Sequence, residues 1–301
     1  MKIGVILPAA EGDGNTETPE WPIVRSFARA AEAHGLDSVW MFDHFFYRPA
    51  TGPIEGQHEA WTIVSAVAAA TQRVEIGTLV LCATFRSPAL VAKMAASADD
   101  VSGGRLILGL GAGWHDPEYD AFGFAKDHRV DRFEEVLQIV CPLLRGETVT
   151  IEGRYHEVHD AALAPAPGRR IPVLVAAFGP RMLRLAARHA DAWNTAWYGT
   201  PDDRLGERLA AFEAAVEAEG RDAGTISRTV GVTVRDPEHP VSGNDDSEDT
   251  SFSGSVDELA GVIDAYADLG IDHLILVLQP MTEASLDRLA RAVALRSSSP
   301  A

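Results

Sequence analysis

Short apolar runs alternate with amphipathic stretches from one end of the chain to the other. Runs of the first kind cover residues 3–7, 38–42, 74–81, 105–110, 172–176, 190–195, 228–234 and 273–278. They are β-branched or leucine-rich and show little polar alternation, the pattern of parallel strands buried on both faces. Between them, apolar residues recur at helical spacing over residues 21–34, 59–70, 88–98, 130–144, 180–189, 201–219, 255–269 and 282–295. Several helix starts carry their own signals. Ser255-Val256-Asp257-Glu258 reads as a capping box, and Pro88, Pro180 and Pro201 suit a first helical turn. Gly35, Gly146, Gly220 and Gly270 mark helix ends.

Eight strand–helix units in this order predict an α/β fold, a single (β/α)8 TIM barrel over residues 1–301. The structural rival, a doubly wound sheet with a second domain, needs a linker and a change of pattern, and neither is found. Two interruptions read as small insertions. Residues 148–151 and 155–158 predict a hairpin, and the polar, acidic stretch 236–254 predicts a mobile surface loop.

Charge narrows the functional classes. The formal net charge is -18, so nucleic acid and anionic membrane surfaces are disfavoured as partners. Lysine occurs only at positions 2, 93 and 126. The two cysteines, Cys82 and Cys141, lie outside any CxxC spacing and read as buried thiols of a reduced, cytoplasmic protein. No apolar run has the length of a membrane span, and the short N-terminal run does not make a signal peptide. The histidines show no HxH or HExxH spacing, so no metal site is expected.

In a barrel, chemistry sits on the loops after the strands. The fourth strand runs into Gly109-Leu110-Gly111-Ala112-Gly113-Trp114, a turn without side-chain bulk. It suits either close approach of a large flat or phosphorylated ligand or a tight turn with none. The GxGxG spacing differs from the dinucleotide fingerprint GxGxxG, and the next helical pattern begins near Val130, so a Rossmann nucleotide loop is disfavoured. After the second strand stands Asp43-His44, which either brings a titratable imidazole to the mouth or caps its own loop. The third strand continues through Leu79, Val80 and Cys82, as a wall for a planar ring or as plain packing. After the fifth, Ala176-Ala177-Phe178-Gly179-Pro180-Arg181 opens a helix, as a phosphate site or as an ordinary proline-initiated start with a surface arginine.

Taken together, Trp40-Met41-Phe42-Asp43-His44-Phe45-Phe46, Ile76-Gly77-Thr78-Leu79-Val80, the glycine turn with its Trp114, Pro117-Glu118-Tyr119, Arg132-Phe133-Glu134-Glu135 and Leu183 to Trp193 resemble the bacterial-luciferase-like monooxygenases. The Phe-Asp-His-Phe and Gly-Ala-Gly-Trp forms are most similar to the branch that uses the deazaflavin coenzyme F420. The resemblance implies a barrel holding that coenzyme at its C-terminal mouth. It implies hydride transfer between F420 and a small organic substrate, with His44 moving a proton or stabilising charge on the ring or substrate, and Asp43 orienting or polarising it. It assigns the coenzyme's surroundings to Asp43, His44, Leu79, Val80, Cys82, Gly111, Ala112, Gly113, Ala176, Ala177, Phe178, Gly179, Pro180 and Arg181. It also implies a cis peptide at Leu79–Val80. Relatives that act on sugar phosphates carry a glutamate where Trp114 stands, together with phosphate-binding lysines that this chain lacks. The expectation is therefore an apolar or aromatic substrate against Trp114 and Phe45. An acidic coenzyme tail would fall to arginines such as Arg48, Arg86 and Arg181. The alternatives on the same fold are an FMN-dependent monooxygenase using molecular oxygen and a non-catalytic flavin- or deazaflavin-binding barrel. Pairing of two barrels through helices is the expectation for a protein partner, as a homodimer.

Overall fold

The computed structural model describes residues 1–12, 15–241 and 250–297. Eight parallel strands close on themselves: β1 (Lys2–Ile6), β2 (Ser38–Met41), β3 (Glu75–Thr78), β4 (Leu106–Gly111), β5 (Val173–Ala176), β6 (Ala192–Tyr198), β7 (Ser227–Arg235) and β8 (His273–Gln279). Each pairs with the next, and β8 returns to β1 in the register Ile3 to Leu274. The helices are α1 (Trp21–Ala33), α2 (Ala60–Ala70), α3 (Pro88–Ser102), α4 (Asp116–Phe122), α5 (Arg129–Leu144), α6 (Pro180–His189), α7 (Asp203–Ala218), α8 (Val256–Asp268) and α9 (Glu283–Ser297). The barrel and its eight strands follow the apolar runs of the sequence. The expected hairpin forms between Val149–Glu152 and Glu157–Ala161. The capping box of Ser255 and Glu258 is present. For α7 the cap moves from Thr200-Pro201 to Asp202, whose side chain accepts the Leu205 N–H.

Two differences from the sequence reading bear on the site. A short helix, α4, begins at Asp116 with Pro117 in its first turn, well before the helical pattern read from near Val130. Proline in a first helical turn gives up a hydrogen bond that the turn lacks anyway, so it starts this helix instead of preventing it. Secondly, the ends of the acidic stretch 236–254 are built rather than loose. Ser251–Ser253 add a parallel strand to β7, and Phe252 is buried. The intervening 242–249, which carries most of that acidity, lies outside the described residues.

Alternating strand residues face the helices or the barrel interior. Ile3, Val5 and Val39 pack into the outer layer, while Ile6, Trp40, Ile107, Leu174 and Ile275 fill the inside. Trp40 is wholly buried there, and Gly77 makes room for it: a Cβ on Gly77 would come within 2.1 Å of the indole. The indole Nε1 donates to Ser38 Oγ at 2.7 Å, and Ser38 Oγ lies 2.7 Å from His273 Nε2. Burial lowers His273 to about 3, so it sits neutral in the barrel floor. No helix among the described residues is long and apolar enough to cross a membrane. Cys82 and Cys141 are both free and buried.

Candidate active site

A cavity of about 170 Å³ opens at the C-terminal mouth, lined from the exits of β2 through β6. Its back wall is Leu79 and Val80, joined by a cis peptide bond as the resemblance implied. Gly113, Ala176 and Ala196 keep the sides shallow, and Phe178, Trp114 and Trp197 surround the opening. Trp114 is 62% exposed, so its indole stands at the rim.

The loop after β2 brings in His44. Its Nδ1 lies 2.7 Å from Glu118 Oε2. Glu118 sits in α4 and is almost fully buried; its Oε1 accepts the Phe45 N–H at 2.5 Å and the Phe46 N–H at 3.4 Å. One carboxylate therefore holds three consecutive residues. Trp114 meets the His44 ring edge-on at 5.6 Å between centroids.

Asp43 does not orient His44, contrary to the sequence expectation. Its carboxylate is buried and taken by Arg86, through Nη1 at 2.7 Å and Nη2 at 2.9 Å, and by the Cys82 N–H at 2.9 Å. Burial pushes the Asp43 carboxyl upward, and Arg86 and the Cys82 amide pull it back. Three charge-assisted donors favour the ionised form. Asp43 thus locks the β2 and β3 exits together, and Arg86 extends the lock to Glu59 at the start of α2.

Cys82 and Tyr119 close the floor beside Gly113. Cys82 Sγ lies 3.0 Å from the Tyr119 hydroxyl, which donates to the Ala112 carbonyl at 3.1 Å. Burial pushes the Cys82 thiol up to about 11 and the Tyr119 hydroxyl up as well, so both are neutral at physiological pH. Gly113 has φ +78°, and a Cβ there would fall 2.0 Å from the Tyr119 hydroxyl oxygen and 2.5 Å from Cys82 Sγ. His115 lines the cavity with its Nε2 accepting the Arg48 N–H at 3.1 Å; burial holds its pKa below the ordinary value.

Of the residues singled out in the sequence, Asp43, His44, Leu79, Val80, Cys82, Gly113, Trp114, Ala176 and Phe178 line one cavity. Phe45 does not. Its ring stacks on Phe85 at 4.7 Å and packs tilted against Phe122 at 4.3 Å, outside the cavity lining. Gly111, Ala112, Ala177, Gly179 and Pro180 do not line it, Ala177 being buried. Arg181 is drawn off to Asp131 and Glu134 of α5, and Arg86 to Asp43 and Glu59, so carboxylates already hold both. Arg48 remains near the mouth, its guanidinium 5.4 Å from the Phe46 ring centroid. Sequence reasoning missed Glu118, Tyr119 and His115, on or beside α4, and Asn194, Ala196 and Trp197 from β6. Acidic residues at Asp116 and Glu118 with Gly123 after them were the available signal for α4. Among the described residues no group of three or more His, Cys, Asp or Glu could hold a metal ion.

A family model described as luciferase-like monooxygenase matches residues 1–240. An F420-dependent glucose-6-phosphate dehydrogenase of Kineococcus radiotolerans is 36% identical over 221 residues, covering 71% of this chain and 64% of that protein. One of the same name from Tsukamurella paurometabola is 30% identical over 293 residues, covering 82% of this chain and 85% of that protein. Among solved structures, an F420-dependent secondary alcohol dehydrogenase in complex with an F420–acetone adduct superposes with TM-score 0.82 at 21% identity, covering 98% of each chain. At that identity the superposition speaks for the fold.

Proposed function

Because this chain belongs to the luciferase-like monooxygenase family, we propose that it is an oxidoreductase that uses coenzyme F420 and exchanges a hydride between it and a small, uncharged, apolar or aromatic substrate. The names of its relatives support the coenzyme. The observation that carries the substrate class is the cavity's lining: no lysine or arginine among the described residues contributes to it, while Trp114, Phe178 and Trp197 do. A phosphorylated substrate would meet no cation there, and burying its charge unpaired is costly.

The residues present suit a flat ring. Leu79 and Val80 offer an apolar backing surface, and Gly113, Ala176 and Ala196 leave a slot with little side-chain bulk. When bound, F420 supplies a carbon centre that gives or takes two electrons as hydride. The protein's part is position and proton handling. His44 presents an imidazole to the cavity and exchanges a proton with the substrate, Trp114 shapes the rim, and the buried Asp43–Arg86 pair keeps the loops in place.

Titration of the purified protein with F420 and, separately, with FMN, followed by fluorescence, tests this reading. Saturable binding of F420, with turnover of alcohols or ketones carrying aromatic groups and none of sugar phosphates, is the expected result. Tight binding of FMN alone would replace it with the oxygen-using alternative. Binding of F420 without turnover of any such substrate would make the barrel a carrier.

A further inference from the structure

The contact between α4 and the loop after β2 fixes more than a backbone. With Glu118 as the carboxylate, which only accepts hydrogen bonds, the 2.7 Å contact between its Oε2 and His44 Nδ1 puts the ring proton on Nδ1. The other oxygen is already occupied by the Phe45 and Phe46 N–H groups. No lysine or arginine among the described residues pairs with Glu118, and its side chain is 1% exposed. Its partners are N–H donors drawn from residues 44, 45 and 46 alone. Asp43, the neighbour expected to orient His44, is fully engaged elsewhere.

We propose that Glu118 is the positioning residue of this site: it holds His44 as the Nδ1–H tautomer and so leaves Nε2 as the acceptor facing the cavity. This assignment rests on the functional reading above for its catalytic meaning, though not for its geometry. A neutral imidazole fixed this way takes a proton from a bound hydroxyl without first rotating or exchanging tautomers, and the buried carboxylate steadies the imidazolium that results. Residue type at 118 then matters in a particular way. Glutamine keeps the shape and still accepts from Phe45 and Phe46, but its amide donates to Nδ1, which moves the ring proton to Nε2.

Nitrogen-15 NMR of the ligand-free protein carrying labelled histidine, with His44 assigned through His44→Ala, reads the tautomer directly. The wild-type protein should show a protonated Nδ1 and a bare Nε2 at pH 8. Glu118→Gln should reverse them and cut turnover on the order of 10²–10⁴-fold, with coenzyme affinity little changed. Glu118→Asp should keep the wild-type tautomer and recover much of the lost rate. A wild-type spectrum with the proton on Nε2 overturns the assignment, and so does Glu118→Gln with wild-type turnover. Should Glu118→Gln not fold, the wild-type and Glu118→Asp spectra decide alone. A protein with the expected tautomer that binds no F420 keeps this assignment and loses the functional reading.

Discussion

Arg86 grips Asp43 with both terminal guanidinium nitrogens, at 2.7 and 2.9 Å, inside a wall where the aspartate side chain has no solvent exposure. The pair joins two strand exits, and neither member turns toward the imidazole beside it. Breaking such a pair from one side strands a buried charge, which costs about 3–5 kcal/mol. Arg86→Met should therefore destabilise the protein by that order in urea denaturation. The double variant Arg86→Met with Asp43→Asn should recover part of the loss, since the unpaired charge is gone. Equal stability of the single and double variants would mean that Asp43 leaves no costly unpaired charge when Arg86 is gone.

Gly113 offers a separable test of space and backbone. Gly113 and Gly123 both have left-handed φ, +78° and +75°, but a Cβ on Gly123 meets nothing within 4 Å. Gly123→Ala should cost only the conformational penalty, about 1 kcal/mol. Gly113→Ala carries the same penalty and also forces Tyr119 and Cys82 apart. It should lose at least ~2 kcal/mol in thermal or chemical unfolding and weaken F420 binding at least tenfold, read by the same fluorescence titration. Similar effects from the two variants would show that the crowding at Cys82 and Tyr119 is relieved at no expense.

The barrel was legible in the sequence because parallel staves are apolar on both faces, and glycine and proline punctuate the helices between them. The strand exits followed from that architecture, which is why Asp43, His44, Val80 and Gly113 could be picked out along the chain. What stayed hidden is what partner each finds. The Arg86 partner of Asp43 is 43 positions away, and the Glu118 partner of His44 is 74 away. A single sequence carries no record of such pairings. Adjacency suggested that Asp43 would serve His44, but successive residues leaving a strand point in different directions. The residues Ala196 and Trp197 escaped because β6 runs on to Tyr198 past a register shift, beyond the point where its apolar run ends.

His273 predicts a pH dependence that has nothing to do with catalysis. Its folded-state pKa is lowered to about 3 by burial, against an ordinary value of 6.5. Between those values the unfolded chain holds a proton that the folded protein does not. Stability contributed by this group is therefore full above pH 6.5 and falls as the pH drops toward 3. The slope from this single group is about 1.4 kcal/mol per pH unit in the middle of the window. His273→Asn should be less stable at pH 7 and lose less on acidification to pH 4.5 than the wild type, in parallel urea titrations. Identical slopes would mean that His273 titrates normally in the folded barrel.

His44 and Phe45 are adjacent in the chain and opposite in consequence. The imidazole faces the cavity, while the Phe45 ring is stacked on Phe85 and tilted against Phe122, outside the cavity lining. If His44 moves the substrate's proton, His44→Ala should lower turnover on the order of 10²–10⁴-fold. Its coenzyme affinity should stay within about threefold, because the apolar wall of Leu79 and Val80 is untouched. Phe45→Ala should do the reverse. It opens a void among packed rings and should cost about 2 kcal/mol or more of stability. With the clamp on its backbone N–H unchanged, the folded fraction should turn over near the wild-type rate. Measuring unfolding and single-turnover rates on both variants separates the two roles, and a Phe45 variant that is stable but inactive would return that residue to the pocket from which its geometry removes it.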